Sequence, residues 1–354
     1  MLTGHGGSLP EKALRAGVRP EEITDFSVSV NPRLNPDLLR PQFERALSAV
    51  NRYPDPHYAE LRGAISKKYG LVPENIVAGN GSTELIYLVP RAFAPKSALV
   101  VAPSYADYAD SARMAGAEVR RFFLEEKERF RFDEKKFLAE ARSAEMVFVG
   151  NPNNPTGGVI EKDAVLRVVD ERPDVLFVVD ESFADYAPEI SLLGSLRPNL
   201  VVIRSFTKFY GAPGLRLGFS ASAPETTKKI LSMKEPWSVN CVAEAFATSV
   251  LAEPDEFAAG LRDAAASDRD ELAGSLGGIK ALDVFHSRAN FLLVKIRDRL
   301  MTTGELQAEL LRRKMLVRDC SNFEGLEPYY FRVGLRTRGE NAMLAAALKE
   351  IFPV

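Results

Sequence analysis

Short apolar runs alternate with amphipathic stretches through the middle of the chain. Several of the runs are nearly continuous Val, Ile, Leu and Phe, which is typical of strands buried on both faces. We expect seven strands, over Ile76–Gly79, Ala98–Ala102, Glu118–Leu124, Met146–Gly150, Val175–Asp180, Leu200–Ser205 and Leu217–Ser220. Helical stretches separate most of them, such as Ser82–Phe93, Tyr105–Ala115 and Asp163–Glu171. This alternation predicts an α/β fold with a doubly wound, mostly parallel seven-stranded sheet.

The C-terminal third has a different pattern, which predicts a smaller α+β domain. Its expected helices are Asn240–Ala252, Pro254–Leu276, Thr303–Arg313 and Gly339–Phe352, with strands at Ala289–Val294 and Tyr330–Leu335. The first 40 residues are punctuated by Pro and Gly and offer little core, so we expect an arm packed against the small domain or the cleft. The predicted division is an arm over 1–40, a large domain over 41–238 and a small domain over 239–354. A length of 354 residues suits this division, because a single core stops growing at roughly 250–300 residues.

Composition excludes several classes of function. The chain has 46 Lys and Arg against 48 Asp and Glu, a net charge of −2, so no basic surface favours nucleic acid or an anionic membrane. No run approaches the ~18 apolar residues of a membrane span, and the N-terminus lacks the apolar core of a signal peptide. Two cysteines, Cys241 and Cys320, argue against a disulfide framework and favour the cytoplasm.

Histidine is also scarce. His5, His57 and His286 are the three histidines of the chain and lie far apart in sequence. A His-rich metal site or a mechanism that uses several histidines is therefore not expected, and we predict no metal. If the chain is an enzyme, its chemistry should come from an organic cofactor or from Lys, Asp and Arg.

Polar motifs follow the predicted strands, at the sheet edge where doubly wound proteins bind ligands. Asp180 ends one strand, and by itself it is equally well interpreted as a helix N-cap. Lys208 follows the next strand, and a lone lysine in a loop is usually a solvated charge. Its neighbours change this interpretation, because hydroxyls and a guanidinium are what binds a phosphate monoester; they are Ser205, Thr207 and Arg216.

A second candidate anion site lies at Gly81-Ser82-Thr83, where a glycine-containing turn begins a predicted helix. A lysine among phosphate donors, with an aspartate at a neighbouring strand end, suggests pyridoxal 5'-phosphate (PLP). In that interpretation Lys208 forms the Schiff base, and Asp180 keeps the pyridine nitrogen protonated so that the ring can accept electrons.

Three motifs also resemble a known superfamily in identity, order and spacing: NPNNPTGG, VVDES and SFTKFYGAPGLRLG. The chain resembles the fold-type I PLP enzymes of the aminotransferase class I/II superfamily over essentially its whole length. Within it, RYPDP at Arg52–Pro56 is similar to the histidinol-phosphate aminotransferase branch. The L-threonine-O-3-phosphate decarboxylases of cobalamin biosynthesis are more similar still, through GHGG at Gly4–Gly7, DFSVSVNP at Asp25–Pro32, EPWSVN at Glu235–Asn240, LVRDCSNFEGL and YYFRVGLR.

The resemblance implies roles around the cofactor. Lys208 matches the Schiff-base lysine and proton donor, and Asp180 the partner of the ring nitrogen. Asn154 matches the donor to the ring hydroxyl, and Tyr105 the stacking aromatic, with a buried strand-end tyrosine as the alternative. Tyr53 matches a tyrosine that reaches the cofactor phosphate of the other subunit, which implies a homodimer with shared active sites. The phosphate-binding set comprises Gly81, Ser82, Thr83, Ser205, Thr207 and Arg216.

The resemblance also implies a substrate site for a phosphorylated amino acid. Arg332 matches the arginine that receives the substrate carboxylate, and Arg318 the one that reads the substrate phosphate; a structural salt bridge is the alternative for each. His5 matches a histidine that closes over the substrate, with a loop-packed histidine as the alternative. Asn154 and Ser29 complete the substrate-binding set. Ser29 stands where the decarboxylases carry an amide.

A second departure lies at Phe183, where many superfamily members carry a tyrosine that hydrogen-bonds the ring hydroxyl. The implied activity is decarboxylation of L-threonine O-3-phosphate to (R)-1-amino-2-propanol O-2-phosphate. The alternative is transamination of histidinol phosphate or a related amino acid with 2-oxoglutarate. The same residues can serve both reactions, because the bond that stands perpendicular to the ring is the one that breaks. A PLP-binding regulator is disfavoured, since no DNA-binding segment is appended and the charge is near zero.

Overall fold

The computed structural model of the chain describes residues 9–33, 37 and 40–353. Its strands are β1 Thr24–Asp25, β2 Ile76–Gly79, β3 Ser97–Ala102, β4 Glu118–Phe123, β5 Met146–Gly150, β6 Leu176–Asp180, β7 Leu200–Ser205, β8 Gly218–Ser222, β9 Leu282–Val284, β10 Phe291–Ile296, β11 Met315–Leu316, β12 Arg318–Asp319 and β13 Tyr330–Gly334. Its helices are α1 Leu9–Ala16, α2 Arg40–Leu47, α3 Ala59–Tyr69, α4 Gly81–Phe93, α5 Asp107–Met114, α6 Glu134–Ala141, α7 Lys162–Glu171, α8 Phe206–Phe209, α9 Pro224–Leu231, α10 Cys241–Ala252, α11 Asp255–Gly277, α12 Thr303–Arg312 and α13 Arg338–Ile351.

The large sheet has seven strands in the order β2-β8-β7-β6-β5-β3-β4. Strand β8 is antiparallel to both of its neighbours, and the other pairs are parallel. The predicted α/β class and mostly parallel seven-stranded sheet are therefore confirmed. Strand β8 runs antiparallel beside β7, and its first residue Gly218 pairs with Ser205, the last residue of β7. The connecting residues 206–217 therefore lie at the carboxyl end of β7. Lys208 and Arg216 lie in this connection.

The central strands are buried on both faces, as their near-continuous apolar sequences predict. Every residue of β5 and of β7 is buried. Successive side chains of β5 alternate between two apolar clusters, with Val147 and Val149 in one and Met146 and Phe148 in the other. Helices cover the two faces, so the ends of the strands are where polar side chains can gather.

The C-terminal part contains an antiparallel sheet in the order β12-β13-β10-β9. Arg318 of β12 pairs directly with Arg332 of β13. Helix α10 packs against α2 and α3, which precede the predicted boundary at residue 238. The division into 41–238 and 239–354 stays a prediction.

The described part of the N-terminal arm packs against the C-terminal strands. Strand β1 pairs in parallel with β11, and Ala13, Ile23 and Leu316 form a small apolar cluster. Residues 26–31, named here the bridging segment, continue from β1 towards the large sheet. At its start the amide of Gly334 donates to the Phe26 carbonyl at 2.8 Å, and at its end the amide of Asn31 donates to the Lys208 carbonyl at 3.0 Å. Within the described ranges, no helix is both long and apolar enough to cross a membrane.

Candidate active site

A cavity of about 420 Å³ lies at the carboxyl ends of the central strands. The large sheet, the bridging segment and strands β12 and β13 all contribute to its wall. It brings together most of the residues predicted from sequence: Ser29, Ser82, Thr83, Tyr105, Asn154, Asp180, Thr207, Lys208, Arg216, Arg318 and Arg332. Asp180 and Lys208 follow neighbouring strands β6 and β7, so their convergence is a direct consequence of the sheet order.

The remaining predicted residues lie elsewhere. Ser205 is buried beside the cavity, with its hydroxyl 2.8 Å from the Thr207 hydroxyl. Gly81 adjoins Arg216. Tyr53 is 82% exposed and packs against Trp237, with ring centroids 5.0 Å apart and ring planes tilted by 39°. It lies outside the lining of this cavity, so its role in a partner subunit stays a prediction. His5 and the GHGG motif lie outside the described residues.

Lys208 sits on α8, a single turn that begins directly after β7. The Ser205 hydroxyl caps this turn by accepting a hydrogen bond from the Thr207 amide. Burial, together with repulsion from the Arg332 and Arg216 guanidiniums, lowers the pKa of the Lys208 amine to about 8, although Asp180 acts in the opposite direction. Much more of this amine is therefore neutral near pH 7 than of an ordinary lysine, and a neutral amine can act as a nucleophile or base.

Asp180 is buried at the end of β6 and accepts three hydrogen bonds. The Tyr108 hydroxyl donates to Oδ2 at 2.7 Å, and the Ser182 amide and hydroxyl donate to Oδ1 at 2.9 and 2.5 Å. Burial raises the pKa of Asp180, and these donors oppose that rise. No α-helix begins at Asp180: the following 3₁₀ turn, Ala184–Tyr186, has Phe183 at its N-cap position. The N-cap interpretation is therefore wrong.

The anion site predicted at the glycine-containing turn stays a prediction, and the start of α4 supplies the groups that such a site needs. Ser82 and Thr83 are in the first turn of this 13-residue helix and face Arg216 across the cavity wall. Two glycines permit the close approach: a Cβ on Gly81 would lie 2.6 Å from Arg216 Nη2, and one on Gly218 would lie 2.6 Å from the Ser82 amide nitrogen. Helix N-terminal amides, hydroxyls and a guanidinium together bind a phosphate group well.

The opposite wall carries the paired arginines of β12 and β13. Arg332 is buried and donates to Asn154 Oδ1 and, at 3.0 Å, to the Ser27 carbonyl. Burial lowers its pKa to about 10, and the nearby Arg318 acts in the same direction. Within residues 9–33 and 40–353, no carboxylate forms an ion pair with Arg332. The salt-bridge alternative for Arg332 is therefore not observed.

Arg318 is held differently. Its guanidinium donates to the Asp319 carbonyl at 2.6 Å and to Asn322 Oδ1 at 2.8 Å, and it lies 5.3 Å from the centre of the Phe323 ring. Burial lowers the pKa of Arg318. Its neighbours orient the guanidinium beside the cavity.

The bridging segment contributes two buried hydroxyls. Ser27 and Ser29 are 4% and 3% exposed and both line the cavity. Neither hydroxyl oxygen has a hydrogen-bond partner among the described residues, and neither does Arg332 Nε. Buried polar atoms normally have partners, so this side of the cavity is suited to receive a polar ligand.

Sequence reasoning missed four residues of this site: Tyr108, Ser182, Ser27 and Phe323. Tyr108 follows Tyr105 by three residues in APSYADY, a helical spacing that could have indicated a shared position. Ser182 stands two residues after Asp180, where a hydroxyl commonly bonds to a preceding aspartate. No local signal identifies Ser27 or Phe323. Phe183, noted as a departure, is buried and packs edge-on against Phe291 at 5.0 Å.

The cavity fits PLP. A buried lysine with a depressed pKa and a buried carboxylate lie on neighbouring strand ends. The helix start that would receive the phosphate depends on two glycines whose replacement would fill the space. Tyr105, on the same wall, offers an aromatic surface.

Comparisons with known proteins agree with this fit. The family profile "Aminotransferase class I and II" matches residues 21–351. The adenosylcobalamin biosynthesis bifunctional protein of Leptospira interrogans is 34% identical over an alignment of 356 positions, which covers 99% of this chain and 41% of that protein. The chain thus spans about two fifths of that relative's length. The threonine-phosphate decarboxylase of Salmonella typhimurium is 31% identical over 99% of this chain and 97% of its own length. The histidinol-phosphate aminotransferase structure from Clostridium acetobutylicum has a TM-score of 0.87 and 28% identity, over 93% of this chain and 99% of that chain.

Proposed function

Since the chain belongs to the aminotransferase class I and II family, whose members depend on PLP, we propose that it decarboxylates L-threonine O-3-phosphate. The product is (R)-1-amino-2-propanol O-2-phosphate, used for the side chain of cobalamin. The decarboxylase of Salmonella typhimurium supports this proposal through similarity over nearly the full length of both chains.

The observation that carries the proposal is the pairing of Arg318 with Arg332 on adjacent antiparallel strands. Both arginines line the cavity that Lys208 also lines. A small amino acid that carries both a carboxylate and a phosphate presents two anionic groups close together. Arginine binds each of them through paired N–H donors.

When bound, PLP supplies an electron sink for the bond broken at the substrate α-carbon. Ser82, Thr83, Thr207 and Arg216 would hold its phosphate group, and Asp180 would keep a proton on its ring nitrogen. Arg332 orients the substrate carboxylate, supported by Asn154 and the Ser27 carbonyl, while Arg318 binds the substrate phosphate. Lys208 delivers a proton to the α-carbon after carbon dioxide leaves. Phe183 and Phe323 exclude water from this side.

The second candidate is a histidinol-phosphate-type aminotransferase, favoured by the structural similarity to the Clostridium acetobutylicum enzyme. In that reaction Arg332 would hold the carboxylate of the amino donor or oxoacid, and the substrate would keep its carboxylate. Lys208 would move the proton between the substrate α-carbon and the cofactor carbon that is bonded to the substrate nitrogen. The orientation of one carboxylate decides between decarboxylation and transamination. Correct orientation of reacting groups can lower an activation barrier by ~7 kcal/mol or more.

The test is a parallel assay on PLP-loaded protein. We expect carbon dioxide release from L-threonine O-3-phosphate without any requirement for 2-oxoglutarate, and little glutamate formation from histidinol phosphate. Lys208→Ala serves as the inactive control for both assays. Efficient transamination of histidinol phosphate without carbon dioxide release would instead establish the second candidate.

We also propose that the enzyme is a homodimer in which Tyr53 reaches the cofactor phosphate of the partner. Supporting this, Tyr53 is largely exposed, packs against the half-exposed Trp237 and lies outside the lining of its own cavity. If sites are shared, mixing inactive Tyr53→Ala and Lys208→Ala proteins should restore activity. Each heterodimer then contains one intact site, which combines the lysine of one subunit with the tyrosine of the other. Sedimentation that shows only monomers would contradict the proposal.

A further inference from the structure

Tyr108 is a buried tyrosine that the proposed reaction does not use, although its hydroxyl touches Asp180. It is 3% exposed, its ring stacks on Phe148 at 5.5 Å and 7°, and Tyr105 packs against its edge at 5.7 Å. Its hydroxyl donates to Asp180 Oδ2 at 2.7 Å. The ring is therefore fixed by packing, and the hydroxyl is held on one carboxylate oxygen.

The hydrogen bonds to Asp180 nearly fill its capacity. An ionised carboxylate has about four acceptor positions. The Ser182 amide and hydroxyl both approach Oδ1, and Tyr108 takes one position on Oδ2. The remaining position lies on Oδ2, the same oxygen that Tyr108 contacts. A ligand N–H that pairs with Asp180 would therefore share this oxygen with the tyrosine.

Tyr108 can act only as a donor here. Burial and the neighbouring negative charge of Asp180, with smaller effects of Tyr105 and Asp107, raise the pKa of Tyr108 well above its ordinary value. Its hydroxyl keeps its proton at any physiological pH. Without cofactor, the charge of Lys208 also favours the ionised carboxylate, but with PLP bound Lys208 would be linked to the cofactor. The donor from Tyr108 is present in both states, and a donor on a carboxylate oxygen disfavours the protonated form of the carboxyl.

We propose that Tyr108 is a positioning residue that keeps the shared proton on the cofactor ring nitrogen instead of on Asp180. Burial alone would favour a neutral Asp180 and an unprotonated ring, which accepts electrons poorly. The hydrogen bond from Tyr108 stabilises the carboxylate and so shifts that proton towards the ring. This inference rests on PLP binding, but it does not depend on which substrate the enzyme uses.

The test reads the ring nitrogen directly. Protein is loaded with PLP that carries ¹⁵N in the ring, and the ¹⁵N NMR signal is recorded without substrate, since its position reports protonation. We expect the wild-type signal at the protonated position. In Tyr108→Phe we expect a shift towards the unprotonated position, with the ratio of the two forms changed about tenfold or more, because hydrogen bonds to charged groups are the strong ones.

Tyr87→Phe is the matched control. The Tyr87 hydroxyl donates to Asp107 at 2.7 Å, so the variant loses the same type of tyrosine–aspartate bond without touching Asp180. Both variants should lose similar thermal stability, and only Tyr108→Phe should move the ¹⁵N signal. If Tyr108 has only a structural role, the ¹⁵N signal should stay unshifted in both variants.

Ser182→Ala provides a second variant if Tyr108→Phe does not fold, since it removes a different donor from the same carboxylate and should shift the signal in the same direction. An unshifted signal in whichever folded variant is measured overturns the proposal, and so does an unprotonated ring in the wild type. Failure to bind PLP at all, seen as no visible absorption, would instead count against the proposed function.

Discussion

The two walls of the cavity differ in how their polar atoms are paired. The cofactor wall is named here for the ends of β6 and β7 and the start of α4. On it, Asp180 accepts three hydrogen bonds and the Ser205 and Thr207 hydroxyls contact each other. The substrate wall is named for the bridging segment with β12 and β13. On it, the hydroxyls of Ser27 and Ser29 and Nε of Arg332 have no partner among the described residues. Because unpaired buried polar atoms cost stability, the difference indicates that one wall is organised in advance for a resident group. The other is left ready for groups that come and go.

Below the cofactor wall, a buried ion pair fixes the strand ends. Arg204 of β7 donates to Glu181, directly after β6, at 2.9 Å, and also pairs with Asp185. Arg204 is the residue before the Ser205 cap, and Glu181 is the residue after Asp180. The pair thus ties together the two strand ends that carry Lys208 and Asp180. Among the described residues, Arg332 on the substrate wall takes part in no comparable buried ion pair, and it bonds instead to Asn154 and to the Ser27 carbonyl.

The largest effect should follow the loss of the one nucleophile on the cofactor wall. Lys208→Ala should lower turnover by about 10⁴-fold or more, because proton transfer alone contributes ~10²–10⁴-fold and the covalent link is lost as well. The visible absorption of the lysine-bound cofactor should disappear. Lys295→Ala, a partly buried lysine paired with Glu126, is the control. A retained visible band would overturn the assignment of Lys208.

A smaller and selective effect is expected on the substrate wall. Arg318→Gln should reduce kcat/KM for phosphorylated substrates by about 10²-fold, since a charge-assisted pair is worth ~1.5–3 kcal/mol. Unphosphorylated amino acids should lose only a few-fold. Arg299→Gln is matched, because Arg299 also lies near an aromatic ring, 5.6 Å from Tyr329, outside the cavity. Equal losses on both substrate types would remove the proposed phosphate role.

Arg332 on the substrate wall repels the charged form of Lys208 on the cofactor wall, and this repulsion can be measured from the pH dependence of PLP binding. With the pKa of Lys208 at about 8, capture of PLP by the apoprotein should accelerate with rising pH and level off above 8. Below the midpoint the neutral amine falls about tenfold per pH unit. Arg332→Gln removes a repelling cation and should move the midpoint upwards, which stopped-flow absorbance would detect. A midpoint near that of ordinary lysine in the wild type would show that the amine is not perturbed.

The smallest effect concerns the serines. Ser205→Ala removes a helix cap and should cost ~1 kcal/mol of unfolding free energy. Ser27→Ala and Ser29→Ala break no hydrogen bond of their hydroxyls among the described residues, so apoprotein stability in urea should stay equal or rise slightly. Their substrate KM should increase several-fold. If the three variants destabilise equally, the contrast between the walls does not hold.

Much of the large sheet could be predicted from sequence, because its strands are short, apolar and followed by polar motifs. The predicted run Val175–Asp180 differs by one residue from β6, and Met146–Gly150 coincides with β5. The antiparallel direction of β8 could not be predicted, since Leu217–Ser220 carries no local signal of strand direction. Direction depends on the length and path of the connection, which local pattern does not encode.

The site was predictable where strand ends decide position. Asp180 and Lys208 follow adjacent strands, so their proximity follows from topology. The contact between Tyr108 and Asp180 requires helix α5 to pack at one particular rotation against β3 and β4. The pairing of Arg318 with Arg332 requires the register of a hairpin whose strands are joined by residues 320–329. Spacing alone leaves both undetermined.

The bridging segment has a consequence for exchanging parts between related enzymes. Its first residues hold the strand of Arg332, and its last residue bonds through both its amide and its side chain to the carbonyls of Lys208 and Phe209. Six consecutive residues therefore contact both the strand that carries Arg332 and the turn that carries Lys208. Transplanting this hexapeptide as one cassette should carry substrate preference with it, whereas changing its positions singly would mismatch the two ends. Directed evolution of new selectivity is best begun by randomising residues 27–30 together, with Phe26 and Asn31 kept as anchors.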